Sequence, residues 1–174
     1  GTAGARSPGI EPMSVLLDAI AGVPSACEPF PGLVTGGQPA AHHFAALKAA
    51  GCEVVLDIRD QMEPRPMDDE EAAVRAAGLE YVNIAVNEAA LTHETLARVR
   101  DTVANLAGDR KTLFHCNSGN RVGATLIPYL MLDRGFEEED AIMLAMRIGA
   151  RSADLIERAL EYVRAQTDSR RTGA

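Results

Sequence analysis

The sequence contains no tryptophan, and aromatic residues make up only 4% of its 174 positions. A core must therefore be assembled from Ala, Leu, Val, Ile and Met. It has only three cysteines, Cys27, Cys52 and Cys116, with no Cys-x-x-Cys pair and no Cys/His spacing of a metal site. An odd number leaves at least one thiol free within a single chain, which fits a reducing compartment. No window approaches the roughly 18 consecutive apolar residues of a membrane span, so membrane insertion is not expected. Residues 15–23 are mildly apolar, but Asp18 interrupts them and no basic segment closely precedes them. They do not read as an intact leader. A cytoplasmic location is expected, although a mature periplasmic chain that had lost its leader would read the same way. Positive charge is also in deficit, at a formal net charge of -8. That excludes a general nucleic-acid binder, which needs clustered Lys and Arg to displace counterions. It leaves room for an anionic small ligand, because one pocket can be positive on an acidic protein.

What is present is a chain that is 47% hydrophobic, with no internal repeat and no low-complexity block. The length suits one domain, expected over 13–168, with disordered tails at 1–12 and 169–174. Ser14 is placed to cap a helix over 14–21. A short edge strand is expected at 33–35, ending in Gly36-Gly37. Pro39 then opens a helix that Gly51 stops. The run EVVLDI at 53–58 reads as a buried strand. A loop over 59–69 holds Pro64 and Pro66, a helix over 68–77 stops at Gly78, and a strand covers 80–86. Thr92 caps a helix to about 106, and a third core strand covers 111–115. Helices follow over 122–134, 137–148 and 152–166. Pro128, inside the first of these, should kink it or remove one hydrogen bond. Alternating strands and helices imply an α/β fold: a central, mostly parallel sheet of four to five strands flanked by helices. Ligands in such sheets bind just past the carboxyl ends of the strands.

One such end carries His115-Cys116-Asn117-Ser118-Gly119-Asn120-Arg121-Val122-Gly123. Between a strand and a helix, successive backbone N–H groups can point inward at an anion, and the helix adds its positive end. Gly119 permits a turn other residues resist. Arg121 can grip two oxygens of a tetrahedral anion with its planar fork. The same groups favour the thiolate of a cysteine placed among them. One arrangement thus makes a nucleophile and binds the group it attacks. His115, buried beneath, would hold Cys116 through hydrogen bonds.

On these residues the sequence resembles the Cys-based tyrosine and dual-specificity phosphatases, in particular a bacterial branch described as beta-lactamase-hydrolase-like. The matching features run from about Gly32 to Ala150. They are Thr35-Gly36-Gly37-Gln38-Pro39, the strand Val54-Val55-Leu56-Asp57-Ile58-Arg59, the strand at 81–86 and the Cys loop. The resemblance implies that Cys116 is the nucleophile and becomes a phosphocysteine. It implies that Arg121 binds phosphoryl oxygens, with His115 and the amides of Asn117, Ser118, Gly119, Asn120 and Val122 around the substrate. Neither cofactor nor metal is expected, and the substrate would be a phosphorylated protein or a small phosphorylated metabolite. The sequence carries no signal of oligomeric state.

The departures are specific. Four residues separate Cys116 from Arg121, where common phosphatases have five, and Val122 stands where Ser or Thr is usual. The short loop also resembles that of rhodanese-type sulfurtransferases, so transfer through a Cys116 persulfide is an alternative. A catalytically weak anion-binding module is another. The phosphatases carry an Asp general acid on the loop before the Cys strand; here that region reads Val86-Asn87-Glu88-Ala89-Ala90. Glu88 is the carboxylate in place. Asp57 and Asp60 stand as alternative acids or as groups orienting Arg121, and Arg59 as a substrate contact or an ordinary ion pair. His42-His43 read as surface or packing, and 137–140 as a dipole-favoured acidic helix start. Arg147 and Arg151 read as a solvated helix end or the rim of the site.

Overall fold

A computed structural model describes residues 14–60, 62–64, 67 and 69–173. Five strands form one sheet: β1 (Cys27–Phe30), β2 (Leu33–Gly36), β3 (Val54–Asp57), β4 (Glu80–Asn83) and β5 (Thr112–His115). Their order is β1-β2-β5-β3-β4, with β1 antiparallel to β2 and the other pairs parallel. The central strands β2, β3 and β5 are buried along their whole length. Alternation along each strand divides the core into two layers. Val34, Val55 and Leu113 face α1 (Val15–Ala19), α2 (Ala41–Ala49) and α3 (Glu70–Ala76). Leu33, Leu56 and Phe114 face α4 (His93–Leu106), α5 (Asn120–Leu132), α6 (Glu138–Ile148) and α7 (Ala153–Arg171).

Strand β1 was not expected. It holds Pro29, which an edge strand tolerates because its outer side is not hydrogen-bonded to a neighbouring strand. With β1 in place, Leu33–Gly36 is interior rather than an edge. The strand expected over 80–86 ends at Asn83, yet Ile84 and Val86 still donate to Asp57 and Ile58 carbonyls at 3.1 Å each. The chain therefore runs beside β3 to the mouth of the sheet. Helix α7 continues through Arg171, past both the expected helix end and the expected start of a disordered tail at 169. The tail expected at 1–12 lies outside the described residues.

Helix α5 decides the site. It begins at Asn120 rather than Val122, and every residue from Asn120 to Leu130 is buried, Pro128 included. A β-carbon at Gly123 would run into the Ala145 carbonyl and Ala150, so only glycine lets α6 cross this close.

Candidate active site

Strand β5 delivers His115 and Cys116 to opposite faces of the sheet. Leu113 and His115 share the α3 side by alternation, and Cys116 belongs to the core layer of α4–α7. The Cys116 N–H still donates to the Gly36 carbonyl at 3.2 Å, and the chain then folds back over it. Gly119 closes the turn with φ +94°, and its N–H donates to Cys116 Sγ at 3.1 Å. It is also the residue preceding α5, so the amides of the first helical turn, which have no partner within the helix, follow directly on the turn.

Arg121 lies in that first turn and is 5% exposed. Its Nη1 donates to the Val86 carbonyl at 3.1 Å, and Nη2 lies 3.1 and 3.0 Å from the two carboxylate oxygens of Glu63. Glu88 Oε1 lies 3.8 Å from Arg121 Nε and accepts from Asn120 Nδ2 at 3.4 Å. A cavity of about 440 Å³ opens here, with Asn117, Ser118 and Arg121 on one side and Asp60, Glu63, Asn87 and Glu88 on the other. Glu88 is held by a 3₁₀ turn (Glu88–Ala90) capped by Asn87, whose side chain also donates to Asp60 at 3.2 Å.

The structure thus brings Asn117, Ser118, Arg121, Glu88 and Asp60 around one cavity, with Gly119 and the fully buried Cys116 in the same turn but not on the cavity wall. Neither Asn120 nor Val122 lines the cavity, although the Asn120 side-chain amide donates to Glu88. The Asn120 side chain accepts from the N–H groups of Arg151 and Ser152, at 2.9 and 3.1 Å, and so ties the loop to the start of α7. Val122 packs in the core. Glu63 was not anticipated; a carboxylate in a loop past a strand end was its only signal.

Asp57 does not reach the cavity. It is fully buried on the α3 side, where Oδ1 accepts from Arg59 N and Nε at 2.9 and 3.0 Å. Its Oδ2 accepts from Arg59 Nη2 at 3.0 Å and Tyr81 OH at 2.7 Å. Burial opposes its ionisation, but the charge on His115 and the bonds from Arg59 prevail and hold it well below the usual carboxylate range. A carboxylate so held has no proton to give. The physical reason is alternation: Asp57 lies two residues from Val55 and shares its face. Arg59 is likewise 1% exposed, with Nη2 shared between Asp57 and Glu70, and it does not line the cavity.

His115 lies beneath the loop, away from the substrate position expected for it. Its Nδ1 faces the Cys116 carbonyl at 3.0 Å and its Nε2 faces Glu70 Oε2 at 2.8 Å. Burial disfavours its charge, but Glu70 above all, with Asp57 and the Cys116 carbonyl, raises its pKa above the ordinary value. Asp57, Glu70 and His115 offer three donor atoms within 4.8 Å of one another. Arg59 Nη2, 3.0 Å from Asp57 and 3.3 Å from Glu70, already supplies the positive charge there, and the set does not suit a cation.

The Gly-Gln-Pro element braces the loop from the other side. A β-carbon on Gly37 would sit 2.5 Å from the Asn117 carbonyl oxygen. Gln38 donates from its backbone to the same oxygen at 2.9 Å, and from its side chain to Glu70 Oε1 at 2.6 Å. His43 is buried, accepting from Ala40 N at 2.9 Å and facing the Ala21 carbonyl at 2.9 Å, which makes it a helix cap. Arg147 lines a separate groove with Phe30 and Phe136, and Arg151 is exposed. Burial pushes the thiols of Cys27 and Cys52 up. Among the described residues no helix is long and apolar enough to cross a membrane.

No protein-family model matches the chain, and no curated protein matches it. Solved structures do. A Shewanella putrefaciens CN-32 protein of the DUF442 group, described as a phosphatase, matches with a TM-score of 0.73 at 21% identity, over 86% of this chain and 97% of that one. P. aeruginosa TpbA in complex with phosphotyrosine matches with a TM-score of 0.62 at 17% identity, over 94% and 91%. PTPMT1 in complex with PI(5)P matches with a TM-score of 0.64 at 16% identity, over 78% and 92%. The fold of this chain is that of the protein-tyrosine-phosphatase-like phosphatases.

Proposed function

We propose that this protein hydrolyses a phosphate monoester of a phosphorylated protein or small metabolite through a phosphocysteine on Cys116. The observation that carries the reading is the Gly119 N–H aimed at Cys116 Sγ, in the same turn that presents Arg121 to the cavity. The phosphoryl group sits on the first-turn amides and Arg121, displacing Glu63 from the guanidinium. The thiolate attacks phosphorus; the S–P bond forms and the P–O bond to the leaving alcohol or phenol breaks. Glu88 gives that oxygen its proton. Water then attacks the phosphocysteine, passing a proton back to Glu88, and the thiolate leaves toward the Gly119 N–H. Ser118 is the hydroxyl lining the cavity, in the absence of one at Val122. Phosphotyrosine on TpbA and PI(5)P on PTPMT1 support a phosphate ester as the substrate class.

Carboxylates facing the loop across the cavity favour phosphoryl over sulfur transfer, which needs no proton donor. Turnover of aryl phosphates tests the reading. Cys116→Ser should abolish a vanadate-sensitive activity. Glu88→Gln should cost about 10²–10⁴-fold on esters with poor leaving groups and much less on nitrophenyl phosphate. Activity surviving Cys116→Ser would sink the mechanism. A one-sulfur mass gain on Cys116 from thiosulfate, with no phosphatase turnover, would move the assignment to a sulfurtransferase.

A further inference from the structure

We infer that Asn120, the first residue of α5, is a positioning residue for Glu88: its side-chain amide is anchored at the start of α7 and holds one carboxyl oxygen of Glu88, so that the other carries the proton for the leaving group. The inference rests on the proposed function, in which Glu88 is the proton donor. It goes beyond that function in assigning work to a side chain that does not line the cavity.

Asn120 is 8% exposed and sits between Gly119 and Arg121. Its Oδ1 accepts from the N–H groups of Arg151 and Ser152 at 2.9 and 3.1 Å. Two backbone donors at one end fix which way the amide is turned, because a flipped amide would aim its own N–H groups at them. Nδ2 is thereby left facing Glu88, 3.4 Å from Oε1. The anchoring segment is seated on the Cys loop. A β-carbon on Gly149 would sit 3.0 Å from the Gly119 carbonyl carbon, so the stretch joining α6 to α7 lies directly on the residue that donates to Cys116 Sγ. One amide therefore connects the loop that holds the nucleophile, the segment that backs it and the turn that carries the acid.

Glu88 needs such a restraint. Its side chain is 55% exposed, and left free it would spread its carboxyl over many rotamers. Asn87 caps the backbone of the 3₁₀ turn, not the Glu88 side chain. Among the described residues the carboxyl meets Asn120 Nδ2 at 3.4 Å and Arg121 Nε at 3.8 Å, both through Oε1. An amide nitrogen and a guanidinium can only donate, so Oε1 is the oxygen that accepts and Oε2 the one that bears the hydrogen. The leaving oxygen keeps the electron pair of the broken P–O bond and takes that proton on it, and Glu88 becomes a carboxylate. The bond from Asn120 then turns from neutral to charge-assisted, so it strengthens as the step proceeds.

The test is a double-substitution cycle read on two esters, phenyl phosphate with a poor leaving group and nitrophenyl phosphate with a good one. Asn120→Ala should lower kcat on phenyl phosphate about tenfold, a part of the about 10²–10⁴-fold that a general acid supplies, and by much less on nitrophenyl phosphate. In a Glu88→Gln background the same substitution should cost phenyl phosphate no more than it costs nitrophenyl phosphate. A loop merely loosened would lose rate on both esters alike, with or without Glu88, and that result overturns the inference. Should Asn120→Ala fail to fold, the ¹⁵N NMR signals of the Asn120 side-chain amide decide. Signals that follow the Glu88 titration in the wild-type chain and stay still in Glu88→Gln support the inference; signals that behave alike in both chains overturn it. A wild type that turns over neither ester refutes the proposed function and the inference with it. A selective loss on phenyl phosphate in Glu88→Gln, with an additive cycle, refutes the inference alone.

Discussion

Gly37→Ala tests whether the Gly-Gln-Pro element sets the geometry of the Cys loop. The added methyl carbon would sit 2.5 Å from the Asn117 carbonyl oxygen and 3.1 Å from both Ser118 Cα and Pro24 Cβ. Ordinary C···O contacts begin near about 3.3 Å, so roughly 0.8 Å must open between two backbones. No flexible side chain is there to yield. The 2.9 Å bond from Gln38 N to the same Asn117 oxygen lengthens with it. Overpacking of this kind costs about 1–3 kcal/mol, which lowers Tm by about 2–12 °C at this size. A displacement near 1 Å in a catalytic loop costs about 10²-fold in rate. Gly36→Ala is the comparison: its nearest clash, at 2.8 Å, is with a Val23 methyl and not with the backbone of the Cys loop. Purified variants would be compared by kcat/KM on nitrophenyl phosphate and by calorimetry. Turnover should fall about 100-fold in Gly37→Ala and far less in Gly36→Ala. Gly37→Ala with wild-type turnover and wild-type Tm would refute the reasoning, because the loop would then owe nothing to this contact.

Glu63 competes with a bound anion for Arg121, so Glu63→Gln should tighten inorganic phosphate binding about three- to tenfold by calorimetry; weaker binding would mean Glu63 helps hold the ligand. Stability should fall on the alkaline side. The raised His115 contribution is complete below about pH 6.5 and is lost as pH climbs through its folded-state value. The lowered Asp57 contribution is present above about pH 3.9 and is lost as pH falls toward its folded-state value. Urea midpoints across pH should show both declines, with the alkaline one absent in Glu70→Gln.

The local signals in the chain were strong where a single element carries the information. β-branched runs, glycine stops and the Ser14 and Thr92 caps outline most helices and strands, because each depends on neighbours a few residues away. The Cys loop was legible for the same reason: thiol, turn glycine and guanidinium all lie between residues 116 and 121. Strand β1 was not, since Glu28 and Pro29 resemble a loop until β2 offers an edge to pair with. The fate of Asp57 was half legible. Alternation from Val55 sends it away from the cavity, but nothing local shows that Arg59 and Tyr81 wait there.

By itself the sequence determined an α/β chain with a cysteine in a strand-to-helix turn, because strand, turn and helix are dictated by short-range chemistry. Only the tertiary structure decided which carboxylates gather around the loop. Glu88 and Glu63 reach Arg121 from different loops, and Glu70 reaches His115 across 45 residues of sequence. Parallel pairing of β3 with β5 sets Asp57 beside His115 rather than in the cavity. Contacts between distant segments are fixed by how the sheet orders its strands and by which face each side chain takes.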